Sequence, residues 1–237
     1  PILMGLAGIW RRNAMGWPSV AVVPYDQRLE LLPAYLQQLE MESNGKRVAE
    51  DGTPLDLPTA PVVWGAPGTD AQHSFFQLLH QGTDVVPVDL VLAARPREEM
   101  GRHHTLLAAN CLAQAEALAR GRTQAEARAE MAARGADPAE INRLAPHRTF
   151  PGDRPSTLIL HERLDAHALG RLIALFEHKV FVMGAVWGID SFDQWGVELG
   201  KTLADGLVPV LEGEARELDP ATAASLARLR ALGFPGG

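Results

Sequence analysis

The sequence predicts an α/β protein in which a mostly parallel sheet is flanked by helices. Two observations lead to this class. Four short apolar runs, rich in β-branched residues, occur along the 237-residue chain at 19–24, 61–64, 85–91 and 157–160. Segments of ten or more residues with helical periodicity lie between them, as in the β–α–β units that build parallel sheets. In open sheets of this kind, ligands bind beyond the carboxyl ends of the strands.

The elements follow from the spacing of apolar residues in chain order. Leu3, Leu6, Ile9 and Trp10 recur at helical spacing and predict a buried first helix. The stretch 43–60 is rich in Gly, Asn, Asp and Pro and predicts a long surface excursion. Further helices are predicted at 27–40, 71–80, 102–120, 123–134 and 138–144, from Asp165 to about Met183, from Asp193 to about Leu207, and at 221–232.

Composition and charge argue against several classes of protein. The formal net charge is −7, from 29 acidic and 22 basic residues, which argues against a nucleic-acid partner. The single cysteine, Cys111, cannot form an intramolecular disulfide. Its alanine and leucine neighbours predict a buried, inert thiol in a helix interior. These features are typical of a soluble cytoplasmic protein.

The opening ten residues are apolar but shorter than the ~20 residues that a membrane span needs. Arg11 and Arg12 follow this run rather than precede it, which does not match a signal peptide. We therefore expect no membrane partner. The chain starts at Pro1, without a Met, and its first residues have the pattern of the middle of a buried element. This predicts that the sequence is part of a longer chain.

The segment 192–201, FDQWGVELGK, is the first candidate for chemistry. At ~100° per residue, Gln194, Glu198 and Lys201 would stack on one face of a helix. An amide, a carboxylate and an amine on that face can hydrogen-bond a polyhydroxylated ligand. The alternative is a solvated stripe with one ion pair between Glu198 and Lys201.

A second candidate is the Gly/Pro turn GAPG at 65–68, directly after a predicted strand. Thr69 or Asp70 is the expected cap of the helix that follows. The free N–H groups of its first turn can bind an anion. His73 would lie in that first turn, where the helix dipole favours the neutral imidazole that exchanges protons near neutrality. The alternative is a capping or packed histidine.

A third candidate is Glu42 in MESNGK at 41–46, where a predicted helix runs out into a loop. A carboxylate at such a junction can point into a cleft and act as a base, although an ordinary surface glutamate is the alternative. The histidines lack the spacing of a zinc site, and no Walker loop, GxGxxG or GxSxG motif occurs. No metal, nucleotide or covalent nucleophile is implied.

At these segments the chain resembles the glucose-6-phosphate isomerase family, also called phosphoglucose isomerase. The run at 192–201 matches one of the two signature patterns of that family. Other stretches stand in the family's order: PYDQ (24–27), MESNGK (41–46), GTDAQH (68–73), HQGT (80–83) and RLIALFEHK (171–179). The likeness runs from Pro1 to about residue 210, and is looser in the terminal helix.

The resemblance implies a flavodoxin-like three-layer sandwich of the sugar-isomerase (SIS) type. Residues 1–210 would form the family's larger sugar-isomerase domain, and residues 211–237 a C-terminal helical arm. It implies interconversion of glucose 6-phosphate and fructose 6-phosphate through a cis-enediol in glycolysis and gluconeogenesis, without metal or redox cofactor. It also implies a homodimer in which each subunit lends its histidine to the neighbouring site.

The same resemblance assigns roles to five residues. Glu42 is similar to the base that moves the proton between C1 and C2 of the sugar. His73 is similar to the acid/base of ring opening that is lent by the neighbouring subunit, and Lys201 to its partner at the ring oxygen. Gln38 and Gln194 are similar to groups that position the substrate.

This sequence departs from the family pattern in two ways. Ala66 stands where the family commonly has Glu, and Asp70-Ala71 replaces the usual Asn-Gly. The family's Gly-Gly-Arg signature, its Ser/Thr phosphate loop and its first domain are absent. Because phosphate binding and enediolate neutralisation are large terms in such catalysis, we expect the chain alone to be close to inactive without the N-terminal half. The alternatives are a non-catalytic sugar-phosphate-binding module and a dimerisation module on the same fold.

Overall fold

The structure, a computed structural model, describes residues 1–235. One sheet of four parallel strands has the spatial order β2-β1-β3-β4. The strands are β1 (Ser19–Pro24), β2 (Val62–Gly65), β3 (Val88–Ala93) and β4 (Ser156–His161). All four lie where the apolar runs predicted them, with shifts of one to three residues at some ends, and the α/β class with a parallel sheet is confirmed.

Ten α-helices accompany the sheet in the described residues. They are α1 (Ile2–Ile9), α2 (Leu32–Leu36), α3 (Gly68–Ser74), α4 (Phe76–Gln81), α5 (His103–Arg120), α6 (Gln124–Ala133), α7 (Pro138–Leu144), α8 (Ala166–Trp187), α9 (Glu198–Leu211) and α10 (Pro220–Ala231). Two π-helices, Trp10–Ala14 and Gln37–Glu42, continue α1 and α2. Short 3-10 turns lie at Gln27–Leu29, Pro146–Arg148 and Trp195–Val197.

Helices cover both faces of the sheet, because successive residues of a strand point to opposite sides. Ala21 and Val23 of β1 pack with buried residues of α3, α4 and α5, on the side that we call the α5 face. Val20 and Val22 pack with buried residues of α2 and α8, on the opposite side, the α8 face. The result is the three-layer arrangement that the sequence predicts.

The first helix forms as predicted but buries a different side. Leu3, Leu6 and Trp10 are exposed, Leu3 by 83%. Gly5 is the buried residue of α1. A Cβ atom added at Gly5 would lie 2.8 Å from Cγ1 of Val182, so α1 approaches α8 through its small residues. The prediction that the large apolar residues of this helix form its buried face is therefore wrong.

The helix predicted at 71–80 is interrupted in the structure. Its break is at Phe75, which has φ −131° and ψ 0°. The Phe75 ring packs edge-on against Trp64 of β2, with 4.6 Å between the ring centroids, and this contact holds the break in place. The predicted cap is also wrong, because Pro67 occupies the N-cap position and neither Thr69 nor Asp70 caps the helix.

The chain divides into two compact units, one spanning 1–192 and the other beginning at Asp193. The first unit holds the whole sheet and the helices from α1 to α8. The second holds α9 and α10, which were predicted near 193–207 and 221–232. The assignment of a domain boundary at residue 210 remains a prediction. Within residues 1–235 we find no helix that is long and apolar enough to cross a membrane.

Candidate active site

Glu42 ends the π-helix Gln37–Glu42, where the chain leaves α2 and heads for β2. A π-helix has i→i+5 hydrogen bonds and thus about 4.4 residues per turn, so residues four apart lie on nearly the same side. Gln38 and Glu42 therefore share one side of this turn. Gln38 is exposed and Glu42 half-buried. Single π-turns within helices are frequent at functional sites.

The end of this π-helix is fixed against the amino end of β2. The Lys46 ammonium donates to the carbonyl oxygens of Glu42 (2.9 Å) and Ser43 (2.7 Å), which satisfies acceptors that a helix end leaves open. The backbone N–H of Val63, the second residue of β2, donates to the sulfur of Met41 at 3.4 Å. Glu42 is thus placed beside the point where β2 begins.

Two buried polar residues flank Glu42. Glu40 is 2% exposed, and its Oε2 accepts a hydrogen bond from the ammonium of Lys179 on α8 at 2.6 Å. Asn44 is fully buried, and its side-chain N–H donates to the carbonyl oxygen of Val180, also on α8, at 3.0 Å. The Ser191 hydroxyl donates to Oδ1 of Asn44 at 2.6 Å. The segment that carries Glu42 is therefore tied to α8 on both sides.

His73 is an exposed residue of α3, in the helix that follows the carboxyl end of β2. It lies in the last turn of this seven-residue helix rather than in the first, so the predicted effect of the helix N-terminus does not apply. Within residues 1–235 no hydrogen bond engages its imidazole. The side chain is thus presented outward, available to a group outside this unit.

Tyr25 packs against α3 and hydrogen-bonds to it. A Cβ atom at Gly68 would lie 2.6 Å from three atoms of the Tyr25 ring, so only glycine allows this approach. The Gln72 amide donates to the Tyr25 hydroxyl at 2.9 Å. Burial raises the pKa of Tyr25 to about 12. Tyr25 thus remains a neutral phenol that fixes the start of α3 over the end of β1.

The segments that carry Glu42 and His73 pack on opposite faces of the sheet. The helical segment ending at Glu42 packs on the α8 face, beside the amino end of β2. The helix α3 packs on the α5 face, after the carboxyl end of β2. The rule that ligands bind at the carboxyl ends of strands therefore fits His73 and not Glu42. In the described part of the chain no hydrogen bond or ion pair joins the two side chains.

Gln194 and Lys201 belong to the second unit. Gln194 has φ −129° and ψ 34° and precedes the 3-10 turn, so it lies outside the helix, and the predicted stripe of Gln194, Glu198 and Lys201 on one helix face is wrong. The stripe fails because the turn delays the start of α9 to Glu198. Both Glu198 and Lys201 are exposed, in the first turn of α9. No ion pair joins them in the described part of the chain.

Several buried charged residues near Glu42 were not predicted from the sequence. Besides Glu40 and Lys179, the structure pairs Arg11 with Asp89 (3.5 Å), and Arg11 also donates to Thr157 at 3.0 Å. Each pair joins residues far apart in sequence, so local spacing cannot reveal it. One signal was available: Lys179 and Asp89 each interrupt an otherwise apolar run, which is typical of a buried charge that has a partner.

The fold and these positions define the class of protein: a three-layer α/β unit that carries a carboxylate and an imidazole on separate elements, and a second unit that carries an amine. Comparison with protein-family models identifies the family within this class. Residues 1–226 match the model described as phosphoglucose isomerase. The chain belongs to the phosphoglucose isomerase family.

The chain is 58% identical, over 235 residues, to the glucose-6-phosphate isomerase of Chelativorans sp. strain BNC1, and 58% identical over 232 residues to that of Rhizobium meliloti strain 1021. These matches cover 98% and 97% of this chain but 43% of each relative, so the chain spans less than half of their length. The crystal structure of a glucose-6-phosphate isomerase from Chlamydia trachomatis superposes with a TM-score of 0.79 at 36% identity, over 97% of this chain and 41% of that one.

Proposed function

We propose that this chain forms part of an aldose–ketose isomerase that interconverts glucose 6-phosphate and fructose 6-phosphate through a cis-enediol. The support is its family membership, together with a carboxylate, an imidazole and an amine at the family's motif positions, Glu42, His73 and Lys201. The proposal places the reaction in glycolysis and gluconeogenesis in the cytoplasm. No metal or redox cofactor takes part in it.

Each of the five residues has a role in the proposal. Glu42 moves the proton between C1 and C2, because proton abstraction beside a carbonyl needs a positioned carboxylate. His73 and Lys201 handle the protons of ring opening, with Lys201 at the ring oxygen. Gln38 shares a helix side with Glu42 and positions the sugar from there, and Gln194 positions it from the second unit.

The observation that carries the shared-site part of the proposal is the placement of Glu42 and His73. The α8-face helix ends with Glu42 and the α5-face helix carries His73, with the sheet between them. Because the two segments pack on opposite faces of the sheet, we infer that the two groups acting on one sugar come from different chains. A homodimer in which His73 is lent to the partner's Glu42 brings them together, and His73 is exposed as this requires.

The rest of the enzyme belongs to the part that this chain does not span. The sequence carries no Gly-Gly-Arg signature and no Ser/Thr phosphate loop. Neutralising the enediolate and binding the phosphate contribute much of the rate in such reactions. The proposal therefore expects this chain alone to be close to inactive, and to become active when it is joined to the missing part of a relative.

The test is a coupled assay of fructose 6-phosphate isomerisation on two proteins. One is this chain alone, and the other is a fusion, the joined enzyme, of this chain to the part of the Chelativorans isomerase that it does not span. We expect turnover only in the joined enzyme. Glu42→Gln should lower its kcat about 10²- to 10⁴-fold, the range of a lost general base. Glu50→Gln, at an exposed carboxylate of the following loop, is the matched control and should leave kcat unchanged.

A joined enzyme that folds and turns over equally well with Gln at position 42 would contradict the role of Glu42. Turnover by this chain alone, abolished by Glu42→Gln, would contradict the expected need for the missing part.

Sharing of His73 has its own test. The Glu42→Gln and His73→Ala forms of the joined enzyme are each expected to be inactive. After unfolding and refolding as an equal mixture, mixed dimers would contain one site with both groups intact. A two-fold dimer then recovers about one quarter of the unmutated activity. Refolding each form separately is the control, and no recovery in dimers shown to be mixed would contradict the sharing.

A further inference from the structure

Burial differs among the polar residues of the segment that carries Glu42. Glu40 and Asn44 are buried, while Glu42 between them is half-buried. At about 4.4 residues per turn, residues two apart in a π-helix point to nearly opposite sides. Holding the Glu40 carboxylate on the inside therefore sets the direction in which the Glu42 carboxylate points on the outside.

The attachment at Glu40 is a buried ion pair. Lys179 is 5% exposed and Glu40 2% exposed, and the ammonium lies 2.6 Å from Oε2. The second oxygen, Oε1, is buried and has no hydrogen-bond partner among the described residues. Removing two charges from water costs several kcal/mol per ion, and an apolar pair of similar volume is often as stable or more stable. Stability alone therefore gives no reason for this pair.

The attachment at Asn44 is the second fixed point. Asn44 holds the Val180 carbonyl, one residue beyond Lys179 on α8, and accepts from Ser191. Gly184 leaves space for the contact between Ser191 and Asn44, because a Cβ atom at position 184 would meet both Ser191 Oγ and Asn44 Oδ1. Two points of attachment, before and after Glu42, fix both the rotation of the turn about its axis and its position along α8.

We propose that Lys179 is a positioning residue for the isomerase reaction, acting through Glu40 to hold the π-turn that aims Glu42. This inference rests on the proposed function. A π-turn is rare, and an α-helix over the same residues would rotate Glu42 about the axis by tens of degrees. Proton abstraction needs the reacting atoms within about 3.5 Å and aligned, and a misplacement of about 1 Å can reduce the rate ~10²-fold.

The experiment uses the joined enzyme with Glu40→Leu, Lys179→Met and both together. Each single change leaves a buried charge without its partner and is expected to lower the Tm. The double change removes both charges and is expected to restore the Tm. Its kcat should nevertheless remain at least tenfold below the unmutated value, with KM changed less than threefold, because Gln38 is the one proposed binding group on the π-turn.

The matched control is the partly buried pair of Arg11 and Asp89, which makes no hydrogen bond or ion pair with the π-turn in the described residues. Arg11→Met with Asp89→Leu should change the Tm without a tenfold loss in kcat. A double variant at positions 40 and 179 that recovers both Tm and full kcat would overturn the proposal and leave the pair a purely structural one.

A second variant covers the case in which the double change does not fold. Glu40→Gln keeps the size of the side chain and is measured at a temperature where circular dichroism shows it folded. We expect the same loss in kcat at nearly constant KM, and faster hydrogen exchange of the backbone N–H groups of residues 38–44. Unchanged kcat and exchange would overturn the proposal. Failure of the proposed function is a separate result: the joined enzyme would then turn over equally well with and without the Glu42→Gln change.

Discussion

Burial changes the ionisation of the Cys111 and Tyr25 side chains. Cys111 is fully buried in α5, and burial raises the pKa of its thiol to about 12 from 9.0. The prediction that this thiol is buried in a helix is therefore confirmed, and its inertness stays a prediction. It could be made from sequence because the neighbours of Cys111 in its own helix are apolar, so a local pattern was sufficient.

This burial predicts that Cys111 resists thiol reagents. The reactive species is the thiolate, and at pH 8 a thiol with a pKa near 12 is almost wholly protonated. We expect negligible reaction with Ellman's reagent in the folded chain, and one equivalent on unfolding in guanidinium. Because the folded state holds this proton more tightly, the thiol's stabilising contribution is complete below about pH 9 and declines as the pH rises towards 12. Fast labelling of folded protein at pH 8 would contradict this account.

Glu40 shows where local sequence patterns give no information. Its neighbours in the chain resemble those of any glutamate on a helix surface, and its partner Lys179 is 139 positions away. No pattern within a helical turn distinguishes it from the exposed Gln38. Glu42 itself was singled out because it stands at a helix end within a family motif, not because spacing showed what surrounds it.

At the scale of elements, the strands were predicted better than the helix ends. A short run such as Ser19–Pro24 is buried on both faces, so its composition alone marks it. The break at Phe75 depends instead on a contact with Trp64 of another element, which periodicity within the helix does not encode. The start of α9 was also predicted too early. A 3-10 turn at Trp195–Val197 precedes the helix, which begins at Glu198 rather than at Asp193.

The close approach of α3 to Tyr25 gives a prediction for this element. Gly68→Ala would place a methyl group 2.6 Å from the ring of a fully buried side chain that has no room to move. We expect a loss of about 1–3 kcal/mol in the free energy of unfolding, measured by urea denaturation. Gly170→Ala in α8 is the control, because no atom lies within 4 Å of the new methyl group.

The control substitution should leave the protein equally stable or more stable by up to about 1 kcal/mol, since alanine favours a helix interior over glycine. Equal effects of Gly68→Ala and Gly170→Ala would show that the contact with Tyr25 does not constrain α3.

At the scale of the whole molecule, the apolar core lies within the first unit. The four clusters of buried apolar residues involve no residue beyond Ile189, and all four strands lie before residue 162. The parallel sheet could be anticipated from alternating strands and helices, whereas its strand order was not predicted. The division after residue 192 was not predicted, because the break between the two predicted helices there carries no Pro-, Ser- or Gly-rich linker.

This distribution predicts that residues 1–192 fold when expressed alone. We expect a single cooperative thermal transition by circular dichroism, because the layers that bury the sheet are all present. The matched comparison is the full chain, whose transition should differ little in cooperativity. A non-cooperative melt, or an ensemble that binds a hydrophobic dye, would show that the first unit is not an independent folding unit.

Under the shared-site proposal, protein concentration is a variable of the reaction, because Glu42 and His73 of one site come from two chains. A single chain of the joined enzyme then contributes Glu42 to one site and His73 to another, and completes neither site, however stable its fold is. Activity per chain then follows the law of mass action for dimer formation, and dilution below the dimer dissociation constant extinguishes turnover while every chain remains folded. The turnover per chain of such an enzyme therefore rises with its own concentration.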